Sequence, residues 1–470
     1  MNYESILSAV DSLNHFLWTY IVITMLVGCA LYFTWHLRGV QFTQLGEMFR
    51  NLFRNGQDAN VPSAHRKHIS SFQAFTVSLS SRVGTGNLAG VASAIFVGGP
   101  GAIFWMWVMA LLGASTAFME STLAQLFKRK GESSFYGGPA YYMQFGLGRR
   151  WMGILFAVFM IFGFGLANQL VQSNTLCEAV SDSTSFNIHW VAIVLMFLTL
   201  FIIFGGIQRI AHFSAVVVPF MAIAYIIFAL YILITNYAQI PAMLSLIVKS
   251  AFGWHQAAGG AIGIAIMQGV KRGLFSNEAG EGSAPNAAAT ASISHPVKQG
   301  LLQSLGVFTD TLVVCSCTAF IILLSGLYNG SDDGIILTSR AMEYHIGPFG
   351  RWYLTAAILL FAYSTIIGNY FYGESNIRFI TKKRWVLFMF RIASGGVVLA
   401  GGFMTLQQTW SLVDMAMAFM TIINLIAVVG LSRYVFRLLD DYLEQRRQGK
   451  DPTFDRNLFP DADLEGWERE

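Results

Sequence analysis

Charged side chains are scarce in this chain. Of its 470 residues only 12% are Asp, Glu, Lys or Arg, whereas 54% are hydrophobic, and the mean hydropathy is +0.53. A soluble domain of this length needs far more polar surface. The sequence therefore predicts an all-α membrane protein with many spans. The net charge of +4 is small and spread over the connections, so we expect no nucleic-acid partner.

Cysteines and catalytic signatures are also few. The four cysteines lie in apolar segments, without the spacing of a disulfide framework or a zinc site. They are Cys29, Cys177, Cys315 and Cys317. The chain has no Gly-x-x-x-x-Gly-Lys-Ser/Thr phosphate loop, no His-Glu-x-x-His and no Gly-x-Ser-x-Gly. We therefore expect no enzyme and no cofactor. An intramembrane enzyme and a passive channel are the alternatives from other classes.

Long apolar runs dominate the rest of the chain. With about 20 residues per span, hydropathy predicts about eleven transmembrane helices. Their expected positions are 15–36, 69–96, 100–126, 150–178, 188–207, 212–235, 256–290, 298–327, 349–376, 385–404 and 406–433. The first is interpreted as a retained helix, because no small-residue cleavage pattern follows it.

Lysine and arginine concentrate in the connections after spans one, three, five, seven and nine and in the C-terminal tail, and they are few in the connections at 236–253 and 329–347. Cytoplasmic loops carry the excess of basic residues. This distribution predicts an external N-terminus and a cytoplasmic C-terminus in a bacterial inner membrane.

Two segments are too polar to span. Segment 37–68 has apolar residues at helical spacing beside arginines, which indicates a helix lying along the cytoplasmic membrane surface. Those apolar residues are Val40, Phe42, Leu45, Met48, Phe49, Leu52 and Phe53. Segment 434–470 is a charged cytoplasmic tail, which we expect to be solvated or disordered from Asp440 onward.

Two apolar spans are interrupted by glycine and polar residues. The first interruption is Ser81–Gly90 and the second is Gly273–Pro285. Glycine weakens a helix, so each span is predicted to break and to offer backbone groups to a ligand. Helix packing through small residues is the alternative, but it leaves the polar residues unexplained.

Beyond an extra first helix at 1–36, the two interrupted spans occupy the first and sixth positions of ten. An odd number of crossings separates them, so the second copy must be inverted. We therefore expect two five-helix repeats, at 69–235 and 236–433, with the site at the shared breaks.

The breaks suit particular ligands. Free N–H groups at half-helix N-termini suit a carboxylate, and unwound carbonyl groups suit a cation. Thr85, Asn87, Ser276 and Asn277 add neutral ligands, although for each one helix packing is an equally good explanation. In the ninth span, the adjacent hydroxyl groups of Ser364 and Thr365 suit a sodium ion.

Charged residues inside spans should face protein or water, because their insertion is costly. They are Arg82, Lys271, Arg272, Glu278, Glu281 and Asp310. Structural pairing and a role in gating or coupling are both open, and Glu278 with Arg82 is one expected pair. Asp310 is the candidate proton-coupling group.

Several motifs together resemble the alanine or glycine:cation symporter family, also called the sodium:alanine symporters. They are the runs Val83–Ala92, Gly98–Trp107, Gly137–Tyr142 and Ser276–Pro285. The resemblance covers nearly the whole chain. It implies a leucine-transporter-like fold and import of a small neutral amino acid with sodium. Proton coupling, or a broader specificity that includes glutamine and serine, is the alternative.

The resemblance also implies site residues. Sodium would be held by the backbone of Ser80 to Val83 with Ser364 and Thr365. The substrate carboxylate would meet the backbone of Gly84, Thr85, Gly86 and Asn87, and its side chain would face Phe275, Ser276, Asn277 and Ala279. A second sodium in the wider fold uses a partner asparagine that has no clear counterpart here; Thr309 and Asp310 lie nearby instead.

Overall fold

The computed structural model describes residues 3–53, 69–131, 134–253, 259–404 and 406–467. In the first half the helices are α1 (Tyr3–Phe16), α2 (Ile23–His36), α3 (Val40–Thr43), α4 (Leu45–Phe53), α5 (Ser71–Arg82), α6 (Val91–Gly98), α7 (Gly101–Leu126), α8 (Pro139–Phe145), α9 (Arg150–Phe162), α10 (Gln169–Thr184), α11 (Ile188–Ile203) and α12 (Gly206–Thr235). The strands β1 (Arg129–Lys130) and β2 (Phe135–Tyr136) pair antiparallel.

The second half continues with α13 (Ile240–Ala251), α14 (Gly259–Asn277), α15 (Pro285–Ala288), α16 (Pro296–Val307), α17 (Ser316–Ser325), α18 (Gly334–Ile346), α19 (Phe349–Ile380), α20 (Arg384–Gly401), α21 (Leu406–Gly430) and α22 (Ser432–Arg447). Wider π-helical turns lie at Leu17–Val22, Gly86–Gly90, Gly163–Asn168 and Phe308–Cys315. Such turns often occur at functional sites, and two of these four lie beside the interrupted helices.

Both predicted interruptions are confirmed. Helix α5 begins with a capping box of Ser70 and Gln73, ends at Arg82, and the chain becomes helical again at Gly86. Helix α14 ends at Asn277, and α15 begins at Pro285. Proline is well tolerated at a first helical position because its missing N–H would have no partner there. The interrupted helices are packed at the centre, against α7, α12, α16 and α19.

Eight of the described helices are long and apolar enough to cross a membrane. The expected number of about eleven is not confirmed by length and composition, because the other three predicted spans are the short α11 and the two interrupted helices. Large apolar side chains on α11 and α12 point outward, including Phe197, Phe201 and Phe220. Exposed apolar surface of this kind is what a lipid-facing helix requires.

Segment 37–68 is helical as far as Phe53, and residues 54–68 lie outside the described part of the chain. Val40 and Met48 are buried against the protein, whereas Phe49 and Phe53 remain exposed. The exposed phenylalanines fit the predicted membrane-surface position, which stays a prediction.

The expectation of a solvated or disordered C-terminal tail is wrong for the described residues. Helix α22 is followed by a segment at 448–467, which we call the C-terminal segment, and it packs on the end of α7 and the start of α16. Phe459 and Leu464 are buried, and Trp467 donates its indole N–H to the Gln125 carbonyl at 3.0 Å. The apolar residues of this segment follow no helical or strand period, so the sequence pattern did not predict their burial.

Candidate functional site

The first break is a close approach between backbone and side chains. Between Arg82 and Gly86 the chain leaves helical geometry, with Val83 at φ −82° and ψ 86°. A Cβ on Gly84 would collide with Thr365 Oγ1 and lie 2.9 Å from Gln172 Oε1. One on Gly86 would lie 2.9 Å from the Phe275 ring. Both positions therefore require glycine for lack of space.

Thr365 on α19 reaches the end of α5. Its Oγ1 lies 2.8 Å from the Ser80 carbonyl oxygen and 3.3 Å from the Val83 carbonyl oxygen. The structure thus brings together three of the four residues predicted to hold sodium. Three neutral oxygens at a half-helix C-terminus can coordinate a small cation. The fourth residue, Ser364, contacts the Phe361 carbonyl oxygen of its own helix at 2.9 Å and has no hydrogen bond to α5 among the described ones; Thr365 Oγ1 also lies 3.0 Å from that carbonyl oxygen.

The second break is held in left-handed backbone geometry. Glu278 has φ 59°, and Gly280 and Gly282 have φ 98° and 78°. A non-glycine residue in this region costs free energy, on the order of 1 kcal/mol or more. Asn277 stabilises the turn by accepting a hydrogen bond from the Ala279 N–H at 3.0 Å. The break is therefore a defined backbone structure.

Asp310 connects the two breaks. Its carboxylate accepts hydrogen bonds from Asn87 Nδ2 at 2.7 Å, Ser276 Oγ at 2.7 Å and Thr311 Oγ1 at 2.9 Å. Asn87 in turn accepts from the Gly84 N–H at 2.8 Å. Four predicted site residues thus form one buried network with Asp310 at its centre.

The expected pair of Arg82 with Glu278 is wrong. Arg82 donates from Nη1 to the Gln303 carbonyl oxygen at 3.1 Å. Glu278 accepts instead from the hydroxyl groups of Ser81 at 2.5 Å and Ser283 at 2.6 Å. Hydroxyl groups from both breaks therefore donate hydrogen bonds to the Glu278 carboxylate in place of Arg82.

Lys271 and Arg272 of α14 do form ion pairs. Asp414 of α21 lies 2.6 Å from Lys271 Nζ and 3.5 Å from Arg272 Nη1. The Arg272 guanidinium also lies over the Trp410 ring, 4.1 Å from its centre. These groups line a cavity of about 590 Å³ between α14 and α21.

Sequence reasoning missed Gln172 and Trp410. Gln172 on α10 accepts a hydrogen bond from the Thr85 N–H at 3.0 Å, and Trp410 stacks edge-on against Phe275 with ring centres 4.5 Å apart. Gln172 lies in a polar run, Asn168–Asn174, inside a predicted span, and that run could have signalled it. Trp410 carries no comparable signal.

Several polar atoms next to the first break are buried and have no protein partner, and two of them belong to neutral side chains that can face a ligand. These two atoms are Thr85 Oγ1 and Trp410 Nε1. A buried polar group without a partner is costly, so such groups often contact a ligand. A hydroxyl and an indole N–H beside unwound backbone can together bind a small polar molecule.

Two interrupted helices that meet at a buried polar site inside a helical membrane protein define a secondary transporter. The sequence model of the sodium:alanine symporter family matches residues 3–456. The chain belongs to that family, and it is a transporter rather than an enzyme.

Curated relatives cover almost the whole chain. The probable sodium/glutamine symporter GlnT of Bacillus subtilis is 47% identical, over 97% of this chain and 94% of that protein. The amino-acid carrier protein AlsT of the same organism is 47% identical, over 98% of each chain. A sodium/proton-dependent alanine carrier protein of Bacillus sp. strain PS3 is 34% identical, over 85% of this chain and 94% of that one.

Proposed function

We propose that the protein imports a small neutral amino acid, alanine or glycine, together with sodium by alternating access. Sodium is the coupling ion, and the protein needs no organic cofactor. We place the protein in a bacterial inner membrane, in contact with lipid, with its C-terminus in the cytoplasm. The observation that supports the proposal best is the position of Thr365 Oγ1 between the carbonyl groups of Ser80 and Val83.

The size of the site supports a small substrate. Gly86 and the Phe275 ring are in close approach, and Trp410 covers Phe275 from the other side. This leaves little room for a long side chain next to the first break. The carboxylate of an amino acid would accept hydrogen bonds from Thr85 Oγ1 and Trp410 Nε1, which have no protein partner. The Gly84 and Thr85 N–H groups, which were predicted to meet the carboxylate, already donate to Asn87 and Gln172.

Transport assays with purified protein in sealed vesicles test the proposal. With an inward sodium gradient we expect accumulation of labelled alanine, and replacing external sodium by choline should abolish it. Glycine should compete with alanine more strongly than glutamine does. Accumulation that is unchanged in choline at fixed pH would contradict sodium coupling, and stronger competition by glutamine would favour glutamine, the amino acid in the name of GlnT, as the substrate.

A pair of glycine variants shows whether this transport uses the first break. Gly84→Ala places a methyl group against Thr365 and Gln172, so we expect uptake to fall by at least about tenfold. In Gly90→Ala the nearest atoms lie 3.9 Å away, so that variant is the matched control and should retain uptake. Equal uptake by both variants would contradict the assignment of the site.

A further inference from the structure

Four carboxyl groups are buried around the breaks: Glu120, Glu278, Glu281 and Asp310. Three of them accept two or more hydrogen bonds, as an ionised carboxylate requires. The donors are the Gly280 N–H and Asn424 Nδ2 for Glu120, Ser81 and Ser283 for Glu278, and Asn87, Ser276 and Thr311 for Asp310. The fourth carboxyl group, Glu281, differs from these three.

Both carboxyl oxygens of Glu281 are buried without a hydrogen-bond partner, and the residue is fully buried. An ionised carboxylate in such a place has lost its water and gained no donor in exchange. Its charged form is therefore much less stable than its neutral form. The surroundings of Glu281 therefore favour its protonated, neutral form.

The charges around Glu281 also favour its neutral form. Three carboxyl groups interact with it electrostatically: Glu278 of the same break, Glu120 of α7 and Asp414 of α21. Arg82 of α5 is the cation that acts on it, and it is shared with the other buried carboxyl groups. The phenols of Tyr142 on α8 and Tyr372 on α19 interact with Glu120 and Glu278 and are uncharged.

A metal ion does not fit this place as well as a proton. Within the described residues, no group of three His, Cys, Asp or Glu side chains is arranged to hold a metal. The oxygens of Glu120 are already occupied by the Gly280 N–H and Asn424. A proton needs only the one carboxyl group that remains without partners.

We propose that Glu281 is a proton-binding site that is loaded and unloaded during the transport cycle. Glu281 lies between Gly280 and Gly282, both at positive φ, where the backbone can reorient without steric penalty. When the break moves and water enters, the O–H bond of the acid breaks, the proton passes to water, and a hydrated carboxylate remains. The inference rests on the proposed function, because it needs the break to move during transport.

The position of Glu281 links the proton to the substrate. Ala279, two residues earlier, is part of the predicted substrate wall, and Glu278 ties the same break to Ser81 of α5. A conformational change of the second break therefore alters the substrate wall, the contact with the first break and the surroundings of Glu281 together. Asp310, the proton-coupling candidate from the sequence, is already satisfied as a carboxylate by three donors.

Transport driven by a pH gradient tests the inference. Vesicles containing the protein are prepared with equal sodium on both sides and with the membrane potential clamped at zero by potassium and valinomycin. With the outside more acidic, the wild type should accumulate alanine transiently. Glu281→Gln has the shape of the neutral acid but cannot release a proton, so this accumulation should fall by at least about tenfold. A sodium gradient should still drive measurable uptake by this variant, which shows that it is folded and inserted.

Glu343→Gln is the matched control, because Glu343 of α18 pairs with Arg351 of α19 and both side chains are partly exposed. It should retain uptake under both gradients. The inference is overturned if Glu281→Gln responds to the pH gradient as the wild type does. It is also overturned if the wild type responds to sodium but not to pH, a result that leaves the proposed function standing.

Two further results are equally decisive. Failure of Glu281→Gln to fold would contradict the inference, because glutamine replaces a neutral acid without adding charge. If the wild type shows no sodium-driven uptake at all, the proposed function fails, and the inference that depends on it fails with it.

Discussion

At the two breaks, the available space and the available hydrogen-bond partners explain which residue types occupy single positions. Gly84 and Gly86 are glycines because Thr365, Gln172 and Phe275 occupy the volume of a Cβ. Asp310 is tolerated inside a span because three donors compensate for its lost hydration. Polar residues inside the spans are therefore placed by specific contacts.

Thr365→Val tests the sodium assignment at this scale. The variant keeps the β-branched shape and removes the oxygen that lies 2.8 Å from the Ser80 carbonyl oxygen. We expect the sodium concentration for half-maximal uptake to rise by about tenfold, or about 1.4 kcal/mol. Because sodium and substrate binding are linked, saturating sodium should restore much of the alanine affinity.

The matched control for that variant is Thr355→Val. Thr355 lies on the same helix, and its hydroxyl bonds only the Arg351 carbonyl among the described contacts. Its sodium dependence should not change. An unaltered sodium dependence of Thr365→Val would move the cation elsewhere, to Asn87 or Asp310.

At the scale of elements, the C-terminal segment joins parts of the protein that are distant in sequence. Asp463 pairs with Arg129 beyond α7 at 2.6 Å, and Asp451 pairs with Lys298 of α16 at 2.9 Å. The Phe454 N–H also donates to the Ser294 carbonyl between α15 and α16. The segment therefore joins the start of α16 and the connection before it to the end of α7.

Phe459→Ala should loosen this attachment. Phe459 is buried and packs on Tyr434, with ring centres 4.9 Å apart. Removing a buried ring costs roughly 3–5 kcal/mol in a core and less where the site can relax. We expect trypsin to cleave faster at Lys450 and Arg456 in detergent-solubilised protein. Asn457 is exposed in the same segment, so Asn457→Ala should leave the rate of cleavage unchanged. Faster cleavage of Asn457→Ala would indicate that the segment is only loosely attached.

The same assay should show acid-induced detachment. The hydrogen bond from Arg129 lowers the pKa of Asp463. A lowered pKa stabilises the docked segment above the unfolded value of about 3.9, and this contribution is lost as the pH falls through the lower, docked value. A protease active in acid should therefore cleave at a constant rate down to about pH 4 and faster below it.

At the scale of the whole molecule, the orientation in the membrane is a prediction from the basic connections. Ser331 lies in the connection before α18, and Gln448 follows α22; both are exposed. The native cysteines give little background, because Cys177, Cys315 and Cys317 are buried and Cys29 is half-buried.

Cysteine labelling in intact cells tests this orientation. A membrane-impermeant maleimide should label Ser331→Cys in intact cells, and it should label Gln448→Cys only after the cells are opened. Labelling of Gln448→Cys from outside would reverse the predicted topology.

The sequence by itself determined the class of protein, eight of the spans and the position of both breaks. These are local properties: a run of apolar residues is long enough to span or it is not, and glycine with polar neighbours interrupts a helix wherever it lies. Ser80, Val83 and Thr365 could be proposed together only through the resemblance to a family. That they meet is a result of packing α19 against α5.

Only the tertiary structure decided which charges pair and which remain without partners. Asp414 lies far along the chain from Lys271 and Arg272, and hydropathy does not record which side chains of two helices meet. The donors to Glu278 and the absence of any donor to Glu281 depend on where α5, α7 and α21 surround the second break. The partners of buried polar groups are distant in sequence, so they depend on how the helices pack. Helices and breaks depend on residues that are neighbours in sequence, so they can be predicted from it.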